Sequence, residues 1–307
     1  MRNNLFRFLI TLWFVLFVFC TPPANADRAG WNEPGRAPEH NQEGLLHINT
    51  DYFNLAAVTG GDFYYWAPGE FAEAAGLLNV PISSEPITLS YASSGGSFTH
   101  TLELPVDGTI SELSIFVGAQ LLEDFRLLLP DGRSIEENPT GVAVQAFRHM
   151  RIVTLTAPEP GGWMVEVSGR GSFEVAARYL TDRDMLAERD LEEIELLDFA
   201  FVELRGRPGH QGLFTVSEPP QIGAEKRCLT TLTGAIETPT IELVSTTGEV
   251  LNVVVLEDRS DLSEDEYLGA CRIPDQPFRV QVRGKDSEGW IFQRVTSHLI
   301  RPSETSQ

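Results

Sequence analysis

The densest group of side chains that could bind a ligand is an acidic run in the last third of the chain, Glu257–Glu266. Ca²⁺ takes about six to eight oxygen ligands, and one loop with clustered carboxylates can supply several of them. The run is not an EF-hand, because no glycine holds its central turn and the ligand spacing differs. We therefore expect either a solvated loop or a weak calcium site, with carboxylates from Asp258, Asp261, Glu264 and Asp265.

Catalytic motifs are missing from the sequence. There is no Gly-x-Ser-x-Gly elbow, no His-Glu-x-x-His pair, no phosphate loop and no Gly-x-Gly-x-x-Gly fingerprint. The six histidines are scattered, and no two have the spacing of zinc ligands. His100 falls in an alternating strand, which indicates a core or interface histidine. The sequence thus predicts no enzyme, no catalytic residues and no cofactor apart from the calcium candidate.

Four aromatic residues in alternating segments, Trp163, Tyr179, Trp290 and Phe292, could stack on a sugar ring. Aromatic side chains in such strands usually belong to the core, because they bury a large apolar area. We expect most of these four side chains to be buried in the core.

The first 26 residues have the three parts of a secretory signal. Arg2 and Arg7 give a positive start, Phe8–Cys20 is apolar apart from one threonine, and Ala24 and Ala26 provide the small residues before a cleavage site. The apolar run is shorter than the about 20 residues that a spanning helix needs. The sequence predicts cleavage after Ala26, secretion to an extracellular or periplasmic space, and no membrane span afterwards.

The predicted export affects the expected redox state of Cys228 and Cys271, which are the two cysteines that remain after cleavage. An isolated pair in an oxidising compartment is typical of one disulfide. The alternative is two buried free thiols.

The formal net charge of −21 limits the partners of this chain. Such a surface repels nucleic acid and anionic lipid, and it is compatible with cations, basic partners or solvation alone. We expect no nucleic-acid binding.

Two elements precede the β-rich part of the chain. Residues 27–44 are polar and rich in Gly and Pro, which is typical of a flexible lead-in. Residues 45–80 contain a helix at Asp51–Val58, a short aromatic strand at Asp62–Trp66 and a second helix at Gly69–Leu78. This unit is too small to hold its own core, so it must dock on another part of the protein.

Apolar residues alternate over residues 81–182, which predicts a mainly β fold with a first β-sandwich of jelly-roll type. The alternating segments are Phe98–Leu104, Leu113–Val117, Phe125–Leu129, Ile152–Thr156, Trp163–Val167 and Phe173–Tyr179. Turns are expected at Pro130-Asp131-Gly132 and Gly169-Arg170-Gly171, because proline fixes φ and glycine permits positive φ.

Residues 183–195 form an acidic linker or short helix, and alternation resumes over residues 196–301. Seven strands in this space predict an immunoglobulin-like sandwich, although no Trp lies between the cysteines. A polar tail, 302–307, follows. The candidate strands are Phe199–Leu204, Arg227–Thr233, Ile241–Ser245, Val250–Glu257, Tyr267–Arg272, Phe278–Arg283 and Trp290–Thr296.

Three motifs carry a resemblance to hemicentins and related extracellular von Willebrand factor A proteins. Trp290–Ser297 (WIFQRVTS), preceded by Gly284-Lys285-Asp286, is similar to a family stretch in which G-x-D leads into an aromatic residue and F-Q-R-V-S. Ala157–Val165 resembles the family's E-P-x-x-G-x-W-x-V, and Leu129–Gly132 resembles its hairpin. The matches follow the family order and cover most of Leu45–Arg301.

The resemblance implies a galactose-binding-like sandwich followed by an immunoglobulin-like one. It also implies that residues 45–80 are the last part of a von Willebrand A domain. That family's metal motif, Asp-x-Ser-x-Ser, is absent from the sequence, so metal-dependent adhesion is not carried over. The fold label implies no sugar specificity.

The sequence therefore predicts a secreted, non-enzymatic interaction module that binds a protein or glycan outside the cytoplasm. The alternative is a pair of accessory sandwiches from a secreted hydrolase system.

Overall fold

The computed structural model describes residues 45–46, 48, 50–59, 61, 63–65, 70, 86–92, 96–135, 141–207, 209–259 and 261–304. The predicted signal peptide with its cleavage site and the lead-in lie outside these residues, as does the predicted helix at residues 69–78 apart from Glu70. Within the described residues, no helix has both the length and the apolar character needed to cross a bilayer.

The described part of the chain is mainly β, as predicted. The helices are α1 (Thr50–Thr59) and α2 (Arg183–Arg189). The strands are β1 (Pro86–Ala92), β2 (Ser97–Val106), β3 (Glu112–Leu128), β4 (Val142–Ala146), β5 (Met150–Thr156), β6 (Gly161–Leu180), β7 (Leu196–Arg207), β8 (His210–Thr215), β9 (Glu225–Leu232), β10 (Thr240–Val244), β11 (Val250–Val253), β12 (Val255–Leu256), β13 (Glu266–Arg272), β14 (Arg279–Lys285) and β15 (Ile291–Val295).

The first sandwich, β1 to β6, is built on two long antiparallel strands. The sheet order is β1-β6-β3-β5-β4, and β2 pairs with the first half of β6 while β1 pairs with its second half. The register between β3 and β6 shifts at Ala119/Leu121 and Leu122/Asp124, which marks β-bulges that bend the sheet. Side chains from both halves then share one core, which contains Leu104, Leu127 and Trp163.

The sequence analysis predicted that strands end at two places in this sandwich where the structure has one continuous strand, and both predictions are wrong. The Gly169-Arg170-Gly171 segment is not a turn but the middle of β6, and Phe125–Leu129 continues the strand that begins before Leu113. A Cβ on Gly169 would lie 2.1 Å from the Leu121 carbonyl oxygen. The glycine therefore permits a close approach of two backbones at the bend.

The described residues of the N-terminal segment, which lie between Leu45 and Tyr65, dock on the outer face of the first sandwich. Its helix α1 agrees with the predicted helix, but the described residues Phe63–Tyr65 are not in a strand, contrary to the prediction. Phe53, Phe63 and Tyr65 are buried with Tyr91, Phe116 and other residues of the sheet. The aromatic rings meet edge to face, for example Phe53 and Tyr91 with centroids 5.7 Å apart. The expected docking of this segment thus takes place on the adjoining sheet.

Helix α2 follows β6 and forms part of the predicted acidic linker. Asp182 caps its start, since the carboxylate accepts from the backbone N–H groups of Asp184 and Met185. Asp190 ends it in the left-handed conformation with φ of 54°. The linker is therefore a capped helical turn followed by an extended piece.

The second sandwich, β7 to β15, consists of a five-stranded sheet, β12-β13-β9-β7-β8, and a four-stranded sheet, β11-β10-β14-β15. These two antiparallel sheets share one core and have the layout of an immunoglobulin-like sandwich. All seven predicted segments contain strands. Val250–Glu257 is not a single strand, however, because the chain changes sheets at Val254, whose N–H donates to the Ile241 carbonyl at 2.8 Å.

Candidate functional site: a buried polar junction between the sandwiches

The acidic loop does not bring its carboxylates together. Asp258, Asp261, Glu264 and Asp265 are all exposed. Asp261 accepts two hydrogen bonds from Arg259, both 2.6 Å long, and this bonding lowers the pKa of the carboxyl group. Across the described ranges, no group of three or more His, Cys, Asp or Glu side chains is arranged to hold a metal ion. The calcium site stays a prediction without a preformed geometry.

The two cysteines lie close together on neighbouring strands β9 and β13 of one sheet. Cys228 is opposite Gly269 and Cys271 is opposite Lys226, so the cysteines occupy diagonal positions on the same face. Both are free and buried in this structure. A hydrogen bond between the thiols, together with burial, raises the pKa of Cys228, while the same bond lowers the pKa of Cys271. The disulfide stays a prediction.

Three of the four candidate aromatic residues belong to the interior. Trp163, Tyr179 and Phe292 are buried, as the core interpretation predicts, and Trp163 donates its indole N–H to the Glu159 carbonyl at 2.8 Å. Trp290 differs because 42% of its surface is exposed. Of these four aromatic residues, only Trp290 is therefore placed to contact a partner.

The charged groups with the deepest burial meet where the two sandwiches touch. Arg294 of β15 donates to the carboxylate of Asp107 in the β2–β3 loop at 2.7 Å, and both side chains are 0% exposed. The guanidinium also donates to the Ile194 carbonyl at 3.0 Å and lies 4.1 Å from the centroid of the Tyr179 ring. Burial alone lowers the pKa of Arg294, but the Asp107 charge outweighs it and the net pKa is raised. Arg294 is thus held as a cation inside the protein.

A second carboxylate, Asp286 in the β14–β15 hairpin, binds the same loop of the first sandwich. It accepts from the backbone N–H of Gly108 at 2.8 Å and from those of Glu288 and Trp290 at 3.0 and 2.8 Å. A Cβ on Gly108 would lie 3.1 Å from Oδ2 of Asp286, so the loop and the carboxylate are in close contact. The G-x-D segment therefore shapes its own hairpin and fixes the neighbouring sandwich.

Gln293 completes this contact from the adjacent position of β15. Its amide nitrogen donates to the carbonyl of Ile87 at 2.8 Å and to the hydroxyl of Thr88 at 2.9 Å, both in β1. The side chains of Gln293 and Arg294 thus both reach the first sandwich, one at β1 and the other at the β2–β3 loop. We call this set of contacts, made by Asp286, Gln293 and Arg294, the junction.

Weaker contacts surround the junction. Arg283 pairs with Glu103 at 2.9 Å, and Arg189 of α2 pairs with Glu288 at 2.5 Å. These pairs are partly exposed, so each contributes about 0–1 kcal/mol. They make the contact surface wider, while the buried groups determine its geometry.

On the other side of the junction, the β10–β11 turn and Arg279 contact β1. The N–H of Tyr91 donates to the Thr246 carbonyl at 2.7 Å, and Arg279 lies 4.9 Å from the centroid of the Tyr91 ring. Burial lowers the pKa of Arg279 to about 10. His100 forms a 3.0 Å hydrogen bond with the Ser90 hydroxyl, and burial lowers the pKa of its imidazole. His100 is a satisfied interface histidine, as predicted.

Sequence reasoning singled out the F-Q-R-V and G-x-D motifs only as a resemblance. It missed the Asp107-Gly108-Thr109 loop, which receives both of them. The available signal was a strand that ends in Pro105-Val106 and is followed at once by Asp-Gly, a turn sequence with a carboxylate. Nothing in that signal indicates a partner about 180 residues further along the chain, because only the fold brings them together.

Comparison with known proteins identifies the first sandwich. Residues 87–178 match the family model described as the hemicentin galactose-binding domain-like family. This sandwich is a hemicentin-type domain. The chain is also similar to hemicentin-1 of Mus musculus, with 22% identity over 257 residues that cover 80% of this chain and 4% of hemicentin-1. The chain thus spans a small part of that relative. The hemicentin-type domain contributes Asp107 and Gly108, and the residues that bind them lie beyond the matched range.

The chemistry of the junction is that of a structural contact. Arg294 and Asp107 are fully buried and Asp286 is 1% exposed, so no ligand reaches these groups while the sandwiches stay together. Their charges and hydrogen bonds instead select one relative placement of the hemicentin-type domain and the second sandwich.

Proposed function

We propose that this chain is an extracellular adhesion-type module that presents the hemicentin-type domain and the second sandwich as one unit to a protein or glycan partner. The observation that carries the proposal is the junction, with Arg294 and Asp107 buried at a 2.7 Å contact. The similarity to hemicentin-1 supports an extracellular setting.

The physical argument concerns the desolvation of the buried ion pair. Removing two charges from water costs several kcal/mol per ion, and a buried pair often contributes little net stability compared with apolar residues of the same size. Such a pair does define a unique geometry, because its hydrogen bonds tolerate little displacement. A fixed geometry favours binding, since surfaces on both sandwiches need no reordering when a partner arrives.

A binding experiment tests this function. Residues 27–307 are purified and applied to arrays of defined extracellular proteins and glycans, with a fluorescent label as the readout. We expect saturable binding to at least one partner and no turnover of ester, peptide or glycoside substrates. Failure to bind any member of the arrays, or catalytic turnover in the substrate panels, would overturn the proposal.

Export belongs to the same proposal and has its own test. The full chain is expressed with its natural N-terminus, and the protein outside the cytoplasm is analysed by N-terminal sequencing. We expect the sequence to start at Asp27, directly after the predicted cleavage site. Retention of the full chain in the cytoplasm would contradict the extracellular role.

A further inference from the structure

The β7–β8 hairpin places a basic surface on a strongly acidic protein. The chain has a formal net charge of −21, yet Arg205, Arg207 and His210 lie within six residues of one another and are all exposed. Gly206 and Gly209 have positive φ of 121° and 83°, so the end of the hairpin needs glycine at both positions.

The pairing of the hairpin puts these residues on one face. Opposed residues of an antiparallel pair project to the same side. Arg207 is opposite His210, Arg205 is opposite Gly212, and Glu203 is opposite Phe214. These six residues define the hairpin face. Its β7 side has two arginines, and its β8 side has Gly212 next to the exposed aromatic ring of Phe214. Phe214 is 51% exposed.

Charge is not balanced on the hairpin face. Glu203 is its one carboxylate, and it pairs with Arg205 at 2.9 Å and with Lys226 of β9 at 3.7 Å. The Arg205 pair is exposed, so it contributes about 0–1 kcal/mol and can exchange partners at little cost. Arg207 forms no ion pair with any residue in the described part of the chain. The face therefore presents one guanidinium without an ion pair, that of Arg207, beside the exposed and exchangeable Arg205–Glu203 pair.

The acidic linker before β7 is too distant to cancel this local charge. The acidic linker joins β7 at Leu196, and nine residues separate Asp198 from Arg207 along the same strand. At about 3.3 Å per residue, this separation is about 30 Å. The Debye length is about 8 Å at physiological ionic strength, so the linker acids are screened from the hairpin face.

We propose that the hairpin face binds an anionic polysaccharide, that is, a linear glycan that carries sulfate or carboxylate groups. Arg205 and Arg207 are two residues apart on one strand, which places them about 7 Å from each other. The Arg207 guanidinium can bind an anionic group with two parallel hydrogen bonds, and Arg205 can do the same when it exchanges its exposed hydrogen bonds to Glu203 for the ligand. The Phe214 ring beside Gly212 offers a flat apolar surface for a sugar ring.

The size of the hairpin face favours a glycan over a folded protein. Two paired strands of six residues measure about 20 Å by 10 Å, which gives about 200 Å². A stable protein–protein interface buries about 800 Å² per partner. A single polysaccharide chain along the hairpin needs no such area. This inference rests on the proposed function, for which it names a ligand class and a site.

The test uses residues 27–307 and heparin as the sulfated probe, with chemically desulfated heparin, neutral dextran and polyglutamate for comparison. Isothermal titration calorimetry at about 0.1 M salt gives the affinities. The Debye length at this salt concentration is about 10 Å. We expect binding to heparin, weaker binding to the desulfated polymer and no binding to dextran. Equal binding to dextran would overturn the electrostatic argument. Binding to polyglutamate as tight as to heparin would overturn the assignment to a glycan.

Variants localise the site. The double variant Arg205→Gln with Arg207→Gln is expected to weaken heparin binding by at least about tenfold, because charge-assisted hydrogen bonds are lost. The matched control, Arg126→Gln with Arg133→Gln, removes the same charge from exposed ion pairs of the first sandwich and should change the affinity less than about twofold. Phe214→Ser should weaken binding without changing its salt dependence. Equal losses in the hairpin and control variants would overturn the site.

The outcomes separate this inference from the proposed function. If the arrays reveal a partner and heparin binding is absent or unaffected by the hairpin variant, the polysaccharide site is wrong and the adhesion role stands. If the arrays reveal no partner of any kind, sulfated glycans included, both are wrong.

Discussion

Arg294 is the residue on which the contact between the sandwiches depends most. Its replacement by methionine keeps much of the volume but leaves Asp107 as an uncompensated buried carboxylate. Breaking a buried pair in this way costs about 3–5 kcal/mol. We therefore expect Arg294→Met to lower the free energy of unfolding by that amount in urea titrations.

The control for this substitution is Arg126→Met in the first sandwich. Arg126 pairs with Asp124 at 3.3 Å, and both side chains are more than half exposed. The loss should stay within about 0.5 kcal/mol. The double variant Asp107→Leu with Arg294→Met should recover part of the stability lost by Arg294→Met, since it leaves no unpaired charge. Equal losses for Arg294→Met and Arg126→Met would show that burial of the pair has no energetic consequence.

Cys228 and Cys271 provide a second prediction at the level of single residues. They are buried diagonal neighbours on one face, and the Cys228 thiol donates to the Gly269 carbonyl at 3.8 Å. Export would place them in an oxidising compartment, where we expect them to join. Peptide mapping of the secreted protein without reduction should give a peptide that links the two cysteines. Recovery of both as alkylated thiols without prior reduction would contradict the disulfide.

Among the elements, the N-terminal segment depends on one glycine of β3. A Cβ on Gly118 would lie 2.3 Å from Cδ2 of Tyr65, so Gly118→Ala must displace the segment from the sheet. Overpacking of this kind costs about 1–3 kcal/mol. Hydrogen exchange should become faster in residues 50–65 and stay unchanged in β9 and β13. Gly162→Ala is the control, because its Cβ meets nothing within 4 Å. Unchanged exchange in α1 of Gly118→Ala would contradict the docking.

The strand pattern was predictable where one face of a strand is buried and the other is not. β2 and β9 alternate in this way, and the sequence locates both. Three strands lie outside the predicted set for physical reasons. β4 and β8 are edge strands with mostly exposed residues, so they have no alternation, while β1 is buried on nearly every residue because both of its faces are covered. The bends in β3 and β6 depend on bulges, which no periodicity reveals.

The sequence singles out the junction residues Asp286, Gln293 and Arg294 only through the family resemblance, and it predicts none of their contacts. The partners of Asp286 and Arg294 are 178 and 187 residues away in sequence. Only the packing of two folded sandwiches produces that proximity. The hairpin face was missed for a related reason, since its basic character depends on cross-strand register.

For the whole molecule, histidines that are partly shielded from water make stability depend on pH. His149 is buried, His100 is half-buried, and His298 keeps an exposed surface. Burial lowers the pKa values of His100, His149 and His298 below the ordinary value of 6.5. The unfolded chain therefore takes up protons before the folded one as the pH falls through 6.5, and stability is lost in that direction. The lowered carboxyl pKa values of Asp131 and Asp261 act at lower pH and do not contribute here. We expect the urea midpoint to fall between pH 7.5 and pH 5.5.

A substitution identifies the main group behind this pH dependence. His149 is 2% exposed, and its Nδ1 has no hydrogen-bond partner in the described part of the chain. His149→Leu should reduce the fall of the midpoint, whereas the exposed His210→Gln should leave it as in the parent protein. A midpoint that is constant or rises on acidification would refute this reasoning.

The junction also determines how the whole molecule unfolds. Linked domains unfold independently unless their interface is large or strong. Here separation would expose Arg294, Asp107 and Asp286 together, so we expect calorimetry to show one transition with equal calorimetric and van't Hoff enthalpies. Arg294→Met should divide it into two transitions, because the sandwiches lose their buried link. Arg283→Met, which removes only the partly exposed pair with Glu103, should retain one transition. Two separate transitions in the parent protein would mean that the sandwiches are not one unit, and the proposed presentation of a joint surface would lose its physical basis.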